Sequence, residues 1–498
     1  MTPRTSSKEH YLAIDQGGHA SRALVFDDQG RVVSRGLREV KERRLKPGWI
    51  EQDPEELVTS INEAVGEAIR ALGDRRGRIR AGMATQRSSI VCWDRQDGKA
   101  LSPVLSWQDR RAHAWLAGFS GHAERIHEKT GLYLTAHYGA SKLRWCMDHL
   151  PEVRSALEKD RLLCGPLASF LSFRLLDGRP RKVDPANAAR TLLWNLRELD
   201  WDAELLELFG IPREVLPDCV PTRHDFGRLG AEGEGVPLEI LTGDQSAALF
   251  AHGSPAASDA YVNLGTGAFV QRVVKKTPGP LKGLLGSVVF QDENDVIYVL
   301  EGTVNGAGSA LKRIGGQLGI ADYEDRLRGW LKQDGHPPLY LNGVSGLGSP
   351  YWIPDFESGF VGDGEPWEKM VAGAESIVFL VWINLRCLQE IAGEFKRIVA
   401  TGGLAWYDGL CQRLADLSGL PVERPAEHEA TARGTAYLLA RGPRRWPSGK
   451  GGDRFLPGEN RTLTKRFQRW EETLLGAVDA QRKGRGVGNG DPDGKDPS

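Results

Sequence analysis

Two strand-and-turn units between residues 240 and 267 constrain this chain more than any other feature. The first is an apolar strand that begins at Ile240 and stops at a carboxylate, Asp244. The second is a strand that ends in the turn Gly265-Thr266-Gly267. Glycine lets backbone N–H groups approach an anion closely, so an acid beside such a turn suits a phosphate and its metal. The same letters also fit two ordinary strand turns, and the choice between the two interpretations depends on the rest of the chain.

An earlier segment shows the same order of elements. A strand ending at Asp15, a glycine-rich turn and a returning strand occupy residues 10–26. The strand, turn and strand of residues 259–274 repeat that order with little sequence identity. Repetition at such long spacing indicates a duplicated domain rather than a solenoid. Strands and helices alternate through most of the chain, which predicts an α/β protein whose two domains each offer a hairpin turn to a common cleft.

The length of 498 residues suits two large domains and an extension. We expect an N-terminal domain over residues 1–250 and a C-terminal domain over residues 251–445. Residues 446–498 form the predicted extension. Within it, residues 460–480 are expected to form a polar helix, and the Gly-, Asp- and Lys-rich tail from Gln481 is expected to be disordered.

Composition and charge exclude several classes of protein. The formal net charge is -1, which argues against a nucleic acid or an anionic membrane as the main partner. No apolar run approaches the ~18 residues that a membrane span needs, and residues 371–391 are expected to form an apolar core helix. The polar N-terminus lacks the apolar core of a secretion signal. Six scattered cysteines without a C-x-x-C pair indicate reduced thiols in a cytoplasmic protein.

A third glycine turn, Gly402-Gly403, follows an apolar strand, and no Walker P-loop occurs. The three turns and two strand-end acids suit a nucleotide held between two domains. Hairpin N–H groups can bind its phosphates, and its adenine can lie against the bare backbone of Gly402-Gly403. Asp15 and Asp244 can hold Mg²⁺ through its waters, because this hard ion takes few carboxylates and keeps its hydration. Asp244 is the candidate general base, since phosphoryl transfer needs positioning, charge neutralisation and a proton acceptor.

The chain resembles the FGGY family of carbohydrate kinases, and within it the glycerol kinase branch most. The resemblance covers about residues 10–440. It rests on short stretches in one order, among them YLAIDQG, PGWIEQDPEEL, TQRSSIVCWDR, LSWQDRR, GASKLRW, TGDQSAALF, LGTGAF, GLGSPYWIPD and EATARGTAY. It implies two actin/hexokinase-like (ribonuclease H-like) domains that close over ATP and a sugar. The implied activity is Mg²⁺- and ATP-dependent phosphorylation of a primary hydroxyl of glycerol, another polyol or a sugar.

The resemblance also implies roles for individual residues, with Asp244 as the catalytic base. The N-terminal domain would carry the substrate side and the C-terminal domain the nucleotide side. The implied substrate-binding residues are Arg87, Ser88, Trp107, His137, Tyr138, Asp244, Gln245 and Phe269. The implied nucleotide-binding residues are Asp15, Gly17, Gly18, His19, Arg22, Gly265, Thr266, Gly267, Gly308, Gly402, Gly403 and Tyr407. Asp15 and Asp244 would hold the metal through water.

Several positions depart from the pattern of the glycerol kinase branch. Gly18 and His19 stand where two phosphate-binding threonines are expected. Ser88 replaces a glutamate, His137 replaces a tyrosine of the sugar pocket, and Tyr407 replaces an asparagine. The changes at Ser88 and His137 favour a substrate larger than glycerol, so a pentulose or ketose kinase is an alternative. The changes at Gly18 and His19 leave open a catalytically weakened regulator that binds sugar or nucleotide. A homodimer is also left open.

Overall fold

The computed structural model describes residues 9–73, 77–276, 279, 281–426, 429–443, 446 and 451–486. The first half of the chain contains β1 (Glu9–Gln16), β2 (Ala20–Asp27), β3 (Val32–Glu39), β4 (Arg43–Lys46), β5 (Trp49–Gln52), α1 (Pro54–Arg70), β6 (Arg78–Thr85), β7 (Ile90–Asp94), β8 (Val104–Leu105), α2 (His113–Leu116), α3 (Ala123–Thr130), α4 (Gly139–His149), α5 (Pro151–Glu158), β9 (Leu162–Pro166), α6 (Leu167–Leu175), β10 (Lys182–Val183), α7 (Pro185–Ala188), β11 (Trp194–Asn195), β12 (Asp200–Trp201), α8 (Ala203–Phe209), β13 (Asp218–Cys219), β14 (Arg223–Arg228), β15 (Pro237–Gly243) and α9 (Asp244–Ala248).

The second half of the chain contains fewer but longer elements. They are β16 (Asp259–Leu264), β17 (Ala268–Val274), β18 (Leu285–Gln291), β19 (Val296–Val304), α10 (Gly308–Gln317), α11 (Tyr323–Trp330), β20 (Leu339–Leu341), β21 (Gly359–Val361), α12 (Pro366–Ala392), β22 (Arg397–Thr401), α13 (Asp408–Ser418), β23 (Val422–Arg424), α14 (Ala430–Leu439), β24 (Asp453–Phe455) and α15 (Arg461–Gly486).

Two large sheets repeat one topology. The first has the order β14-β15-β6-β1-β2-β3, and the second has the order β18-β19-β17-β16-β22-β23-β24. In the first, the antiparallel hairpin β1–β2 continues through parallel pairing of β1 with β6 and of β6 with β15. In the second, the antiparallel hairpin β16–β17 continues through parallel pairing of β16 with β22 and of β22 with β23. The hairpin repeat predicted from the sequence is therefore confirmed.

A third sheet, with the order β4-β5-β8-β7-β9, lies in the N-terminal half. Its strand β7 is buried throughout, and Ile90 and Cys92 join an apolar cluster with residues of α4. Helix α1 begins beside it at Asp53, whose side chain accepts from the N–H of Glu55 at 2.9 Å, with Pro54 in the first turn. A carboxylate cap and an N-terminal proline are both favourable at this position. This sheet and the loops around it carry the predicted substrate side.

Helix α12 is the core of the second half. It contains the segment 371–391 that the sequence predicts as an apolar helix, which is confirmed. Within the described residues it alone is long and apolar enough to span a membrane, and 83% of its most apolar window is buried inside the protein. Strands β17 and β19 of the second sheet and helix α10 pack against it, because a sheet must cover its apolar faces. We therefore interpret α12 as a core helix.

Helix α14 connects the two halves. It follows the second sheet in sequence but packs against α9, β1 and β6 of the first half. The close approach requires glycine at Gly434, since a Cβ there would collide with the carbonyl of Ala247. The side chain of Thr431 donates to the carbonyl oxygen of Asp244 at 3.4 Å. The C-terminal part of the chain thus supports the helix that begins at Asp244.

The C-terminal extension is an integral part of the second half. Strand β24 pairs with β23 at the edge of the sheet. Helix α15 buries Phe467 and Trp470 against Phe379 of α12, and the Trp470 indole donates to the carbonyl of Tyr340 at 2.7 Å. The predicted helix is confirmed, but it has an apolar face. It also runs to Gly486, so the disorder expected from residue 481 is wrong for residues 481–486, and residues 487–498 lie outside the described part.

Candidate active site

Asp244 and Arg87 meet at the ends of two neighbouring parallel strands. Asp244 is the first residue of α9, directly after β15, and Arg87 follows β6 by two residues. The Arg87 Nε atom lies 3.8 Å from Asp244 Oδ1, and its Nη2 donates to Gln245 Oε1. Side chains at the carboxyl ends of parallel strands commonly line a crevice. Arg87 is 7% exposed and Asp244 is 30% exposed at the side chain, so the carboxylate is open to a ligand while the guanidinium is fixed behind it.

Burial dominates the electrostatics of Asp244. It raises the pKa of Asp244, and the positive charges of Arg87 and Arg190 together with the Gln245 N–H lower it only in part. The Gln245 N–H donates to Asp244 Oδ1 at 2.7 Å. A carboxylate whose pKa is above its ordinary value is a better proton acceptor than a fully hydrated one. The raised pKa is compatible with the predicted role of Asp244 as a general base.

The structure adds a buried ion cluster that the sequence analysis missed. Glu301, on β19, accepts from both Nη atoms of Arg190 at 3.2 Å and lies 3.9 Å from Arg87 Nη2. Gln271 donates to the same carboxylate at 2.7 Å. The two arginines come from the first half of the chain, and Glu301 and Gln271 come from the second. The cluster therefore ties the halves together directly behind Asp244. The sequence signal that could have identified Glu301 is its position as an acid directly after the apolar run 297–300.

The predicted substrate side forms one contiguous group of loops. The Trp107 N–H donates to Ser89 Oγ at 3.0 Å, and the Trp107 and His137 rings meet edge to face with centroids 5.6 Å apart. Ser88 is buried and has a left-handed backbone, with φ of 65°. Tyr138 is buried beside His137, and burial raises the pKa of its hydroxyl. Four of the predicted substrate residues are thus neighbours.

Phe269 is the predicted substrate residue that comes from the other half of the chain. It lies on β17, two residues before Gln271, so both side chains point to the same face of the sheet. Gln271 contacts Glu301 on that face. Phe269 is half-buried, as expected for a residue that lines a cleft.

One buried lysine connects the loops of the substrate side. The Lys142 ammonium donates to the backbone carbonyl oxygens of Ser88 at 2.9 Å, Ser106 at 2.9 Å and His137 at 2.8 Å. Lys142 is 1% exposed, and its pKa lies well below the ordinary value because of burial, with the charge of Arg110 adding to that effect. The three carbonyl oxygens belong to three loops that are distant from one another in sequence. Lys142 thus fixes the backbone around the predicted sugar pocket.

The first hairpin turn carries a second acid. Asp15 pairs with Arg22 at 3.7 Å across the β1–β2 hairpin, and Arg22 also lies 3.7 Å from Glu429. Burial first, and then the negative charge of Asp244, raise the pKa of Asp15 to about 7, against the opposing charge of Arg22. Asp15 on β1 and Thr242 on β15 both lie opposite Ala84 of β6, so Asp15 and Asp244 lie at the same edge of the first sheet. Two carboxylates at one edge favour the binding of a cation, because a cation reduces their mutual repulsion.

The backbone of this turn is open. A Cβ at Gly18 would meet nothing within 4 Å, and the turn closes through the Gly17 N–H to the Ala20 carbonyl at 2.9 Å. The Gly18 carbonyl accepts from the Gln52 side chain at 2.8 Å. His19 is exposed. The arrangement leaves the Gly18 backbone accessible to a phosphate.

The second hairpin turn is braced by the start of α10. The Gly265 N–H donates to the Gly267 carbonyl at 2.9 Å, and the Gly308 N–H donates to the Gly265 carbonyl at 2.9 Å. The Ser309 hydroxyl donates to the Thr266 carbonyl at 3.0 Å. A Cβ at Gly308 would lie 3.0 Å from the Gly265 oxygen, which explains the glycine there. The Thr266 side chain is exposed at the tip of this rigid turn.

The third glycine turn lies beside the second hairpin. Gly402 has φ of 90°, and a Cβ there would lie 2.5 Å from the carbonyl oxygen of Leu264. At Gly403 a Cβ would meet nothing within 4 Å, so that backbone borders open space. Tyr407 is buried, and its hydroxyl donates to the carbonyl of Glu324 at 3.0 Å. The Tyr407 hydroxyl is therefore engaged by α11, and its contact with a nucleotide stays a prediction.

The residues present fit a nucleotide and a hydrated divalent cation. Open backbone at Gly18 and Gly403 and an exposed Thr266 suit phosphates and a base. Among the described residues no group of three or more His, Cys, Asp and Glu side chains could bind a metal directly. A pair of carboxylates that contacts the cation through water, such as Asp15 and Asp244, is compatible with that finding, since Mg²⁺ keeps several waters.

Comparison with known proteins covers nearly all of the chain. Residues 10–251 match the N-terminal domain of the FGGY family of carbohydrate kinases, and residues 260–442 match its C-terminal domain. A glycerol kinase from Azotobacter vinelandii is 34% identical over 449 residues, which are 87% of this chain and 89% of that protein. A glycerol kinase from Halothermothrix orenii is 34% identical over 445 residues, with the same coverage of 87% and 89%.

Solved structures show the same fold. Plasmodium falciparum glycerol kinase with ADP has a TM-score of 0.85 at 24% identity, covering 95% of this chain and 98% of that one. A xylulose kinase from Rhodospirillum rubrum has a TM-score of 0.82 at 19% identity, covering 95% and 99%. The predicted fold class, two α/β domains with actin-like sheets and a cleft between them, is confirmed.

Proposed function

Because the chain belongs to the FGGY family of carbohydrate kinases, phosphotransferases with an alcohol acceptor, we propose that it transfers the γ-phosphoryl group of ATP to a primary hydroxyl of a polyol or sugar. Glycerol and a larger carbohydrate are the candidate acceptors. The observation that supports this most is the part-exposed carboxylate of Asp244, which lies 3.8 Å from the Arg87 guanidinium at the end of β15.

In this proposal Asp244 accepts the proton of the attacking hydroxyl. Arg87 and Gln245 bind neighbouring hydroxyls of the acceptor, since the Arg87–Gln245 hydrogen bond presents both groups together. Trp107 and Phe269 exclude water from the acceptor with their rings. Holding the hydroxyl in line with the phosphate accounts for much of the rate gain in such reactions, because little covalent chemistry is left for the protein.

The nucleotide side consists of backbone groups in this proposal. The Gly17–His19 and Gly265–Gly267 turns hold the phosphates, and Gly402-Gly403 borders the adenine. Asp15 and Asp244 hold Mg²⁺ through water, and the bound ion neutralises phosphate charge. Residues 1–250 form the substrate-side domain, residues 251–445 the nucleotide-side domain and residues 446–498 the extension.

A second candidate is phosphorylation of a pentulose or another ketose. Ser88 and His137 favour it, because a small hydroxyl and a neutral ring border the pocket where a larger acceptor needs space. A third candidate, a weakened regulator, rests on the exposed His19 and on Gly18, whose turn offers no hydroxyl to a phosphate. We also propose that the protein acts in the cytoplasm on small molecules, since all six cysteines are free thiols.

A coupled ADP-release assay with polyols and ketoses tests these proposals. Acceptor-dependent ADP release with Mg·ATP supports the kinase function, and the acceptor with the highest kcat/KM identifies the class. ATP binding without turnover on any acceptor contradicts the kinase proposal and favours the regulator. Turnover on glycerol at ordinary efficiency contradicts the proposal that the acceptor is larger than glycerol.

A further inference from the structure

Three glutamines and a serine form a continuous buried hydrogen-bond network next to the first hairpin turn, residues 17–19. Gln86 donates from Nε2 to the Oε1 atoms of Gln52 at 2.7 Å and of Gln16 at 3.2 Å. Ser89 Oγ donates to Gln86 Oε1 at 3.0 Å. The four side chains are between 0% and 3% exposed, so they are shielded from solvent. We call these four side chains the glutamine relay.

Two members of the glutamine relay end at the backbone of the first hairpin turn. Gln16 Nε2 donates to the carbonyl oxygen of Gly17 at 2.7 Å, and Gln52 Nε2 donates to that of Gly18 at 2.8 Å. In a planar trans peptide the C=O and the following N–H point in opposite directions. The N–H groups of Gly18 and His19 are therefore turned away from the buried glutamines. Neither N–H donates to a backbone carbonyl of the described residues.

The opposite end of the glutamine relay lies on the substrate side, where Ser89 Oγ accepts from the Trp107 N–H at 3.0 Å. Both ends are thus backbone groups of fixed polarity. A carbonyl oxygen only accepts, so Gln16 and Gln52 must face the turn with their nitrogens, and their oxygens then need hydrogens from Gln86. The Gln86 oxygen in turn accepts the hydroxyl hydrogen of Ser89. One arrangement of donors and acceptors therefore satisfies the whole relay.

The orientation of its peptides decides what the first hairpin turn offers to a ligand. Gly17 and Gly18 have no side chain, and a Cβ at Gly18 would meet nothing within 4 Å. Glycine backbone rotates readily, so these two peptides need a restraint from outside the turn. The hydrogen bonds from Gln16 and Gln52 supply that restraint. Successive N–H groups that are turned to one side form a concavity that binds anions.

From these contacts we propose that Gln86 is a positioning residue for phosphate binding. Through Gln16 and Gln52 it holds the two glycine peptides so that the N–H groups of the first hairpin turn face the phosphates of ATP. The inference rests on the proposed kinase function and adds to it residues that touch neither ligand. The relay also joins the turn to the Trp107 loop, so the phosphate-binding and acceptor-binding sides share one buried network.

The first hairpin turn lies beside the reacting end of the nucleotide in this proposal. It begins two residues after Asp15, and Asp15 and Asp244 lie at the same edge of the first sheet. Because the proposed base faces the γ-phosphoryl group, the turn serves the terminal phosphates rather than the adenosine. Without the donors of Gln16 and Gln52, a glycine carbonyl can rotate toward the phosphates, where its oxygen repels the anion.

Binding of ATP and of AMP to variants of the relay separates this role from a general loss of stability. Titration calorimetry gives the Kd of Mg·ATP and of AMP for the unmodified protein, Gln86→Met and Gln52→Met. Methionine has about the length of glutamine but has no N–H to donate. We expect the Kd of ATP to rise about 10- to 150-fold, the range for losing a hydrogen bond to a charged group. The Kd of AMP, which lacks the two terminal phosphates, should stay nearly the same.

Asn195→Leu is the matched control. Asn195 is a buried amide of the same half of the chain that donates to Asp202 Oδ2 at 2.7 Å, and it lies on β11, outside the proposed site. Its loss should lower the free energy of unfolding and leave the ratio of the two Kd values unchanged. If Gln86→Met does not fold, Gln52→Met, which removes fewer hydrogen bonds, decides the question.

The outcomes for the relay and for the kinase function are distinguishable, because binding is measured without turnover. Equal rises in both Kd values, or an unchanged Kd of ATP in a folded variant, overturn the inference while the kinase function stands. If no acceptor is phosphorylated, the kinase function fails, and the Kd values of ATP and AMP still decide the inference. An unmodified protein that binds ATP no more tightly than AMP also overturns it.

Discussion

The Lys142 ammonium donates a 2.9 Å hydrogen bond to the backbone carbonyl oxygen of Ser88, across 54 residues of sequence. The same ammonium binds the carbonyls of Ser106 and His137. No carboxylate among the described residues lies within 4 Å of it. A buried cation held only by carbonyls is costly to desolvate, so its three hydrogen bonds must be present together. The conformation of the predicted sugar pocket therefore depends on one side chain of α4.

Lys142→Met should weaken both the fold and acceptor binding. The change leaves three buried carbonyls without a donor, and we expect the free energy of unfolding to fall by roughly 2–4 kcal/mol. The KM of the acceptor should rise several-fold more than the KM of ATP, because the affected loops lie on the substrate side. Denaturant unfolding and steady-state kinetics measure the two effects. Lys159→Met, at an exposed position after α5, is the control, and equal changes in both KM values argue against a positioning role.

Glu301→Gln should be strongly destabilising. The neutral amide removes the carboxylate that pairs with Arg190 and leaves Arg87 with Asp244 alone. Breaking one partner of a buried pair typically costs about 3–5 kcal/mol. Equilibrium unfolding by urea gives the difference. The comparison is Glu423→Gln, which removes a partly exposed pair with Arg397 and should cost about 0–1 kcal/mol. Similar losses in the two variants would show that the cross-domain cluster contributes no more than a surface pair.

The stability contribution of Asp15 should decrease as pH rises. Its pKa is about 7 in the folded protein and near 3.8 in the unfolded chain. Between these values the folded state holds a proton that the unfolded state has released, so the free energy of unfolding falls as pH rises from about 4 to 7 and then levels off. Asp15→Asn lacks this dependence. Unfolding of both proteins at pH 5 and pH 8 measures this change in the free energy of unfolding. An equal change in the two proteins contradicts the raised pKa of Asp15.

The two glycines of the third turn should differ in what their substitution affects. Gly402→Ala places a Cβ against Leu264 at φ of 90° and should lower the free energy of unfolding by more than 1 kcal/mol. Gly403→Ala projects into open space and should leave stability within about 0.5 kcal/mol. If the adenine lies against Gly403, the Gly403→Ala substitution should raise the Kd of ATP about tenfold. Titration calorimetry with ATP checks this, and an unchanged Kd removes Gly403 from the predicted nucleotide site.

Local patterns allowed part of this site to be predicted. Asp15 and Asp244 could be predicted as candidate site residues because an acid that ends an apolar strand beside a glycine turn is visible within about ten residues. Helix α12 was found from its length and apolar content. The strand-end acids and the apolar helix are set by residues close in sequence, and both features are present in the structure.

Other parts depend on contacts between distant segments, which a single sequence does not display. Arg190 and Glu301 are 111 residues apart and form an ion pair because the two halves of the chain pack together there. The role of Lys142 was hidden because its partners are backbone carbonyls, which have no sequence signature. Trp470 lies on an apolar face of α15. In the sequence, the many charged residues around it hide that apolar face. Helix α14 packs on the first half although it follows the second sheet.

The most direct test of the proposed mechanism is Asp244→Asn. The amide keeps the size of the side chain and cannot accept the hydroxyl proton. We expect kcat to fall at least 10³-fold, near the middle of the range for losing a general base, while the Kd of ATP from titration calorimetry changes less than about threefold. An Asp244→Asn enzyme that turns over at a rate close to that of the unmodified protein would contradict the assignment of Asp244 as the base.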